Sequence, residues 1–100
     1  MLTSYQRNHL RKLAQTLTSI VYIGKDGVNY EVIVQTKDAL KARELIKGKV
    51  QQNAPISVQE AAQILSEESK ADIVHTMGNT FVLYKRNPQN PKVVIPKRKP

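Results

Sequence analysis

The stretch Ser57 to Lys85 limits the fold more tightly than any other part of the chain. Ser57-Val58-Gln59-Glu60 has the form of a capping box, in which a Ser hydroxyl meets a free helix N–H and a Glu reaches back to the cap. Val58, Ala61, Ala62 and Leu65 follow at i, i+3, i+4 and i+7, which makes one face apolar. This spacing predicts a helix over residues 58–69. Residues 71–77 and 80–85 then supply two strand-type runs around Gly78-Asn79, a two-residue hairpin signal. A two-stranded hairpin is marginal by itself in water, and the capped helix needs a surface for its apolar face. One sheet with helices packed on it satisfies both needs, so a mixed α and β domain is expected.

The upstream half supplies the missing elements. Ser4 is a candidate cap, and Leu10, Leu13, Ala14 and Leu17 recur at helical spacing, with Arg7, Arg11 and Lys12 mostly on the other side. Residues 4–16 read as an amphipathic helix with a basic outer face. Ser19 to Ile23 is a short β-branched and aromatic run that stops at Gly24, and it reads as a buried strand. Residues 28–43 stay open. Val28 to Val34 has the residue types of a strand. However, Val28, Val32, Ile33, Thr36, Ala39 and Leu40 also fit one helical face, and Lys37 to Arg43 favours helix. Leu45 to Val50 reads as a strand that Gly48 weakens.

One hundred residues make one domain. With four Tyr, one Phe and no Trp, its core must be built from Leu, Ile, Val and Ala. The absence of Cys excludes disulfides and thiolate chemistry. No stretch has the length of a membrane span and no secretory leader is visible, so a cytoplasmic protein is expected. The composition shifts after Arg86. Asn87 to Pro100 contains four Pro and four basic residues and no acid. This divides the chain into a body, 1–86, and a basic Pro-containing C-terminal tail, 87–100. Val93-Val94-Ile95 is a candidate short strand or packing segment, and the last residues are expected to be mobile.

The net charge is +8, and its placement is informative. Residues 1–25 carry Arg7, Arg11, Lys12 and Lys25 and no acid, and residues 85–100 carry six basic residues and no acid. The middle has six basic against eight acidic residues. Basic ends on a balanced body favour polyanions, because neutralised phosphates release condensed counterions.

Gly24-Lys25-Asp26-Gly27 follows the first strand. Two glycines so spaced allow a tight turn and a close approach to a ligand. If a helix follows, its N–H groups add an anion site. A loop of this GxxG form clamps a nucleic-acid backbone in KH domains. Taken alone the motif reads more readily as a plain turn. Its company of Arg7, Arg11 and Lys12 shifts the balance toward a polyanion site, in which loop and basic face form one surface if the strand ending at Ile23 lies beside the first helix. Tyr22, Tyr30 and Tyr84 are candidates for base stacking, although core or half-buried strand packing is the readier role for Tyr22 and Tyr84. His9 and His75 have no metal-ligand spacing, Ser4, Ser19 and Ser57 have no base partner, and Glu67 and Glu68 face different ways on a helix. An enzyme is not expected, and neither is a metal or cofactor site.

Three stretches resemble a known family. They are Gln6-Arg7-Asn8-His9-Leu10-Arg11-Lys12-Leu13-Ala14, Val21-Tyr22-Ile23-Gly24-Lys25-Asp26-Gly27, and Glu44-Leu45-Ile46-Lys47 together with Gly78 to Arg86. In order and spacing they resemble a CRM domain (chloroplast RNA splicing and ribosome maturation) in its stand-alone bacterial, YhbY-like form. The resemblance implies an α+β two-layer sandwich, with a four-stranded mixed sheet and the order αβαβαββ. That fold is similar to the C-terminal domain of translation initiation factor 3, and it makes residues 28–43 helical. It also implies binding to large-subunit ribosomal RNA in pre-ribosomal particles. Separately, a monomer without a membrane partner is expected. The resemblance places Gly24 and Gly27 at the loop glycine positions and Arg7 and Arg11 at basic helix positions; Lys25, Asp26, Lys12, Lys85 and Arg86 complete the candidate RNA-binding set as neighbouring charged residues. The alternative is a protein-interaction adaptor that docks on an acidic or ribosomal protein.

Overall fold

The computed structural model describes residues 2–89 and 91–93. Its elements are α1 (Ser4–Ala14), β1 (Val21–Ile23), α2 (Tyr30–Arg43), β2 (Leu45–Val50), α3 (Val58–Ser69), β3 (Asp72–Met77) and β4 (Thr80–Tyr84). The strands form one sheet in the order β1-β2-β4-β3. β1 runs parallel to β2, and the other two pairings are antiparallel. The element order and the four-stranded mixed sheet are those expected.

Local chemistry accounts for the helix starts. Ser57 Oγ accepts the Glu60 N–H at 3.1 Å, and Glu60 Oε1 accepts the Ser57 N–H at 3.3 Å, so α3 begins where its capping box predicts. The cap of α1 is Thr3 rather than Ser4. Thr3 Oγ1 accepts the Gln6 N–H at 3.1 Å and Gln6 Oε1 accepts the Thr3 N–H at 3.0 Å, a reciprocal pair that starts the helix there. α1 ends at Ala14, two residues short of the expected bound. The open segment is helical from Tyr30. Asn29 Oδ1 caps it through the Val32 N–H at 3.0 Å, and Val32, Ile33 and Ala39 pack with Leu40 onto the core. Tertiary burial overrides the β preference of Val32 to Val34.

Each sheet face has its own core. Val21, Ile23, Ile46, Phe81 and Leu83 face α2 and α3, meeting Leu40, Ala61 and Leu65 in one buried cluster. Leu45, Val74, Val82 and Tyr84 face the other way and meet Leu10 and Ala14 of α1. The sheet and the α2/α3 pair are thus the two expected layers, and α1 adds partial cover on the opposite face. Gly48 does not loosen β2. A Cβ there would lie 2.2 Å from Phe81 Cζ, so the glycine makes room for the ring packed over it.

After β4 the chain folds back. Glu44, the single residue between α2 and β2, is 1% exposed and sits at φ 64°. Its carboxylate accepts N–H groups from Asn87 (2.5 Å), Lys92 (2.5 Å) and Val93 (2.8 Å), and its carbonyl accepts the Lys85 N–H at 2.9 Å. Burial raises the Glu44 pKa, but these donors and the Arg86 charge outweigh it, and the carboxyl is held below its ordinary value. Val93 packs on the α1-side core. Val94, Ile95 and the last residues, for which a strand or mobility was expected, lie outside the described residues.

Candidate nucleic-acid interface

The GxxG segment is a tight turn at the end of β1. The Gly24 carbonyl accepts the Gly27 N–H at 3.0 Å, with Lys25 and Asp26 exposed at the tip. Gly27 therefore uses its own N–H inside the turn. The N–H groups of Lys25 and Asp26 meet no acceptor among the described residues, so they are the turn's available donors.

The two glycines have different reasons to be there. Gly27 has φ +67°, which disfavours any side chain, and it is buried against Pro55. A Cβ on Gly24 would meet only the side chains of Gln51, at 3.1 Å, and Asn53, at 3.9 Å. The backbone favours glycine at 27 and leaves room for a side chain at 24.

A helix follows the turn, as expected, but its N-terminus is poorly suited to an anion. Asn29 takes the Val32 N–H, and Glu31 places a negative charge in the first turn. Tyr30, at the first helical position, is 79% exposed, which suits its candidate stacking role.

The basic residues of α1 divide. Arg11 and Lys12 are exposed, whereas Arg7 is half-buried and its Nε points to the Ile73 carbonyl at 3.4 Å. α1 lies across β3 and β2 rather than beside β1. The helix face and the turn are therefore separated by open sheet. That sheet holds Lys47, which shares a recess of about 230 Å³ with Arg11, Gln15 and His75.

Lys85 and Arg86 lie elsewhere. β2 and β4 are antiparallel, with Leu45 opposite Tyr84, so these two cations leave the sheet at the end away from Ile23 and the turn. The length of β2 puts the two ends roughly 17 Å apart. Lys85 and Arg86 line a groove of about 730 Å³ with Lys37, Lys41 and Lys70, where Asp38 and Glu68 offset part of the charge.

Tyr84 is buried, whereas Tyr22 keeps much of its surface open. Its neighbours Val21 and Ile23 face the α2/α3 core, which sends Tyr22 to the other face, where it is 47% exposed. A three-residue edge strand is too short for sequence periodicity to reveal this. His75 is half-buried under α1. Burial and then the Arg11 charge hold its pKa below the ordinary value, so it is neutral near pH 7. Among the described residues no group of acidic and His side chains could hold a metal ion, and no helix is long and apolar enough to cross a membrane.

Residues 2–85, from the start of α1 to the end of the hairpin, match the family model of the CRS1/YhbY (CRM) domain. The chain belongs to this family. It is 44% identical to the Bacillus subtilis protein named "Probable RNA-binding protein YqeI", over 96% of this chain and 100% of that one. It is 32% identical to a Haemophilus influenzae protein named "RNA-binding protein", over 97% of each chain. Its fold matches the solution structure of a Staphylococcus aureus protein described as a candidate RNA-binding protein. The TM-score is 0.81 at 38% identity, covering 96% of this chain and 100% of that one.

Proposed function

We propose that this CRM-family protein binds RNA, without catalysis, as a cytoplasmic factor in assembly of the large ribosomal subunit. The RNA backbone is held at the Gly24–Gly27 turn and along the exposed cations of α1. One observation carries this reading: an exposed turn offers two unoccupied N–H donors and Lys25 on the tip, on a chain whose basic excess lies at its ends. Neutral donors and a point charge suit a phosphodiester, and they read no base. The names of the relatives and the family membership support RNA as the polyanion.

The test is RNA affinity across a salt series for Gly24→Asp and Arg11→Glu. Both variants should stay folded, because Gly24 has no conformational need for glycine and Arg11 is exposed. Weaker binding with a shallower salt slope is expected. Unchanged affinity and slope in both would overturn the reading. Crosslinking in cells followed by sequencing should recover large-subunit ribosomal RNA. Association with ribosomal particles that survives RNA digestion would point instead to docking on a protein.

A further inference from the structure

The sheet face between α1 and the Gly24–Gly27 turn carries a continuous row of accessible side chains. Strand register defines the row: Tyr22 pairs with Lys49, Lys49 with Thr80, and Thr80 with Met77. Residues paired across strands share a face. Tyr22 therefore places all four on the α1 side, one from each strand. Tyr22 is 47% and Met77 64% exposed, Lys49 is exposed and Thr80 half-buried. Three strand spacings separate the ends of the row, roughly 14 Å in all.

Tyr22 and Met77 leave a large side chain open at each end of the row. Tyr22 is also held in place. Its hydroxyl donates to the Ser19 carbonyl at 2.9 Å, which fixes the phenol tip while leaving ring surface accessible. A fixed, accessible ring is what a stacking platform requires, because little side-chain freedom remains to be lost on binding. Lys49 lies beside the ring, and Lys47 and Arg11 meet in the adjoining recess. An aromatic platform flanked by cations fits an unpaired nucleotide, with the base on the ring and the phosphate on the lysine. Duplex RNA keeps its bases stacked internally and presents no free face to Tyr22.

We propose that this row is a single-strand RNA site, in which an unpaired base stacks on Tyr22 and its phosphate pairs with Lys49. The proposal rests on RNA binding at the neighbouring turn and adds the kind of RNA taken there: a strand that runs on from the turn across the open sheet toward α1. Turn and row meet directly, because Tyr22 is two residues before Gly24.

The chain has no Trp, so Tyr22→Trp creates a single fluorescent reporter at the proposed contact. A single-stranded oligoribonucleotide of mixed sequence should quench it, and a duplex of the same length should not. Tyr22→Ala should weaken single-strand binding by roughly tenfold, the scale of one base–aromatic stack, and leave duplex binding unchanged. Tyr22→Phe should retain most of the affinity. Wild-type single-strand affinity in Tyr22→Ala, or equal losses on single strand and duplex, would overturn the proposal. The turn variants separate the two failures. If Gly24→Asp loses RNA while Tyr22→Ala does not, the stacking site is wrong and RNA binding at the turn stands.

Discussion

One face of the sheet is closed and the other is half open. On the α2/α3 side the described core runs without interruption from Val21 to Phe81 and Leu83, and every residue of that cluster is buried. On the α1 side a smaller core around Leu10, Val82 and Tyr84 gives way to Lys47, Lys49, Tyr22 and Met77. Strand residues alternate between the faces, so every strand serves both. One set of alternate positions holds the domain together, and the interleaved set is free to present cations and a ring. The contrast predicts that stability and RNA affinity respond to different residues on the same strands.

The largest effect should come from the closed face. Phe81→Ala leaves a cavity over Gly48 and should cost about 3–5 kcal/mol in denaturant unfolding. RNA affinity, measured where the variant is still folded, should hardly change. A loss of affinity without loss of stability would break the division between the faces.

Glu44 tests the open face at its other end, where the tail is fastened. Glu44→Gln weakens three charge-assisted hydrogen bonds and should lower stability by about 1.5–3 kcal/mol. The sign of the pH effect follows from the lowered pKa. The unfolded carboxyl takes a proton near 4.5 and the folded one only below that, so the stabilisation is present above 4.5 and is lost as the pH falls through the folded value. Wild type should therefore lose more stability than Glu44→Gln in that acid window, as thermal melts across pH would show.

The two glycines of the turn sharpen the comparison within four residues. Gly27→Ala should cost about 1 kcal/mol in stability, because its φ of +67° is unfavourable for any side chain. Gly24→Asp should leave the melting temperature nearly unchanged and weaken RNA binding about tenfold, a local charge effect. Equal melting losses in the two would remove the distinction. The smallest effect belongs to Lys49→Ala. Stability should stay within about 0.5 kcal/mol, and the salt slope for single-stranded RNA should fall by about 0.7, one phosphate contact.

Legibility in the sequence follows the distance over which each feature is decided. α3 was readable to the residue because Ser57, Glu60 and the apolar spacing act within three turns. The starting half of α2 was not, since the choice between strand and helix for Val32 to Val34 rests on burial against other elements, and only the family resemblance decided it. Gly48 read as a weakness because its reason, the Phe81 ring, lies 33 positions away. The turn and the basic face of α1 were visible as motifs, while their separation by open sheet depends on strand order. Tyr22 stayed open between packing and stacking because three residues cannot reveal which face an edge strand turns outward. Glu44 went unnoticed as a fastening point, although a helix followed by a strand with one non-glycine residue between them was a signal that this residue was doing something unusual.

That fastening point also orders events in time. Glu44 is made well before Val93, which carries the last of its three N–H donors. Until the chain has grown that far, a charged side chain at the α2–β2 corner must remain hydrated or be buried without its partners. The corner thus reaches its final form only after both halves of the sheet have been made, and the closing of the tail is the event that seals it.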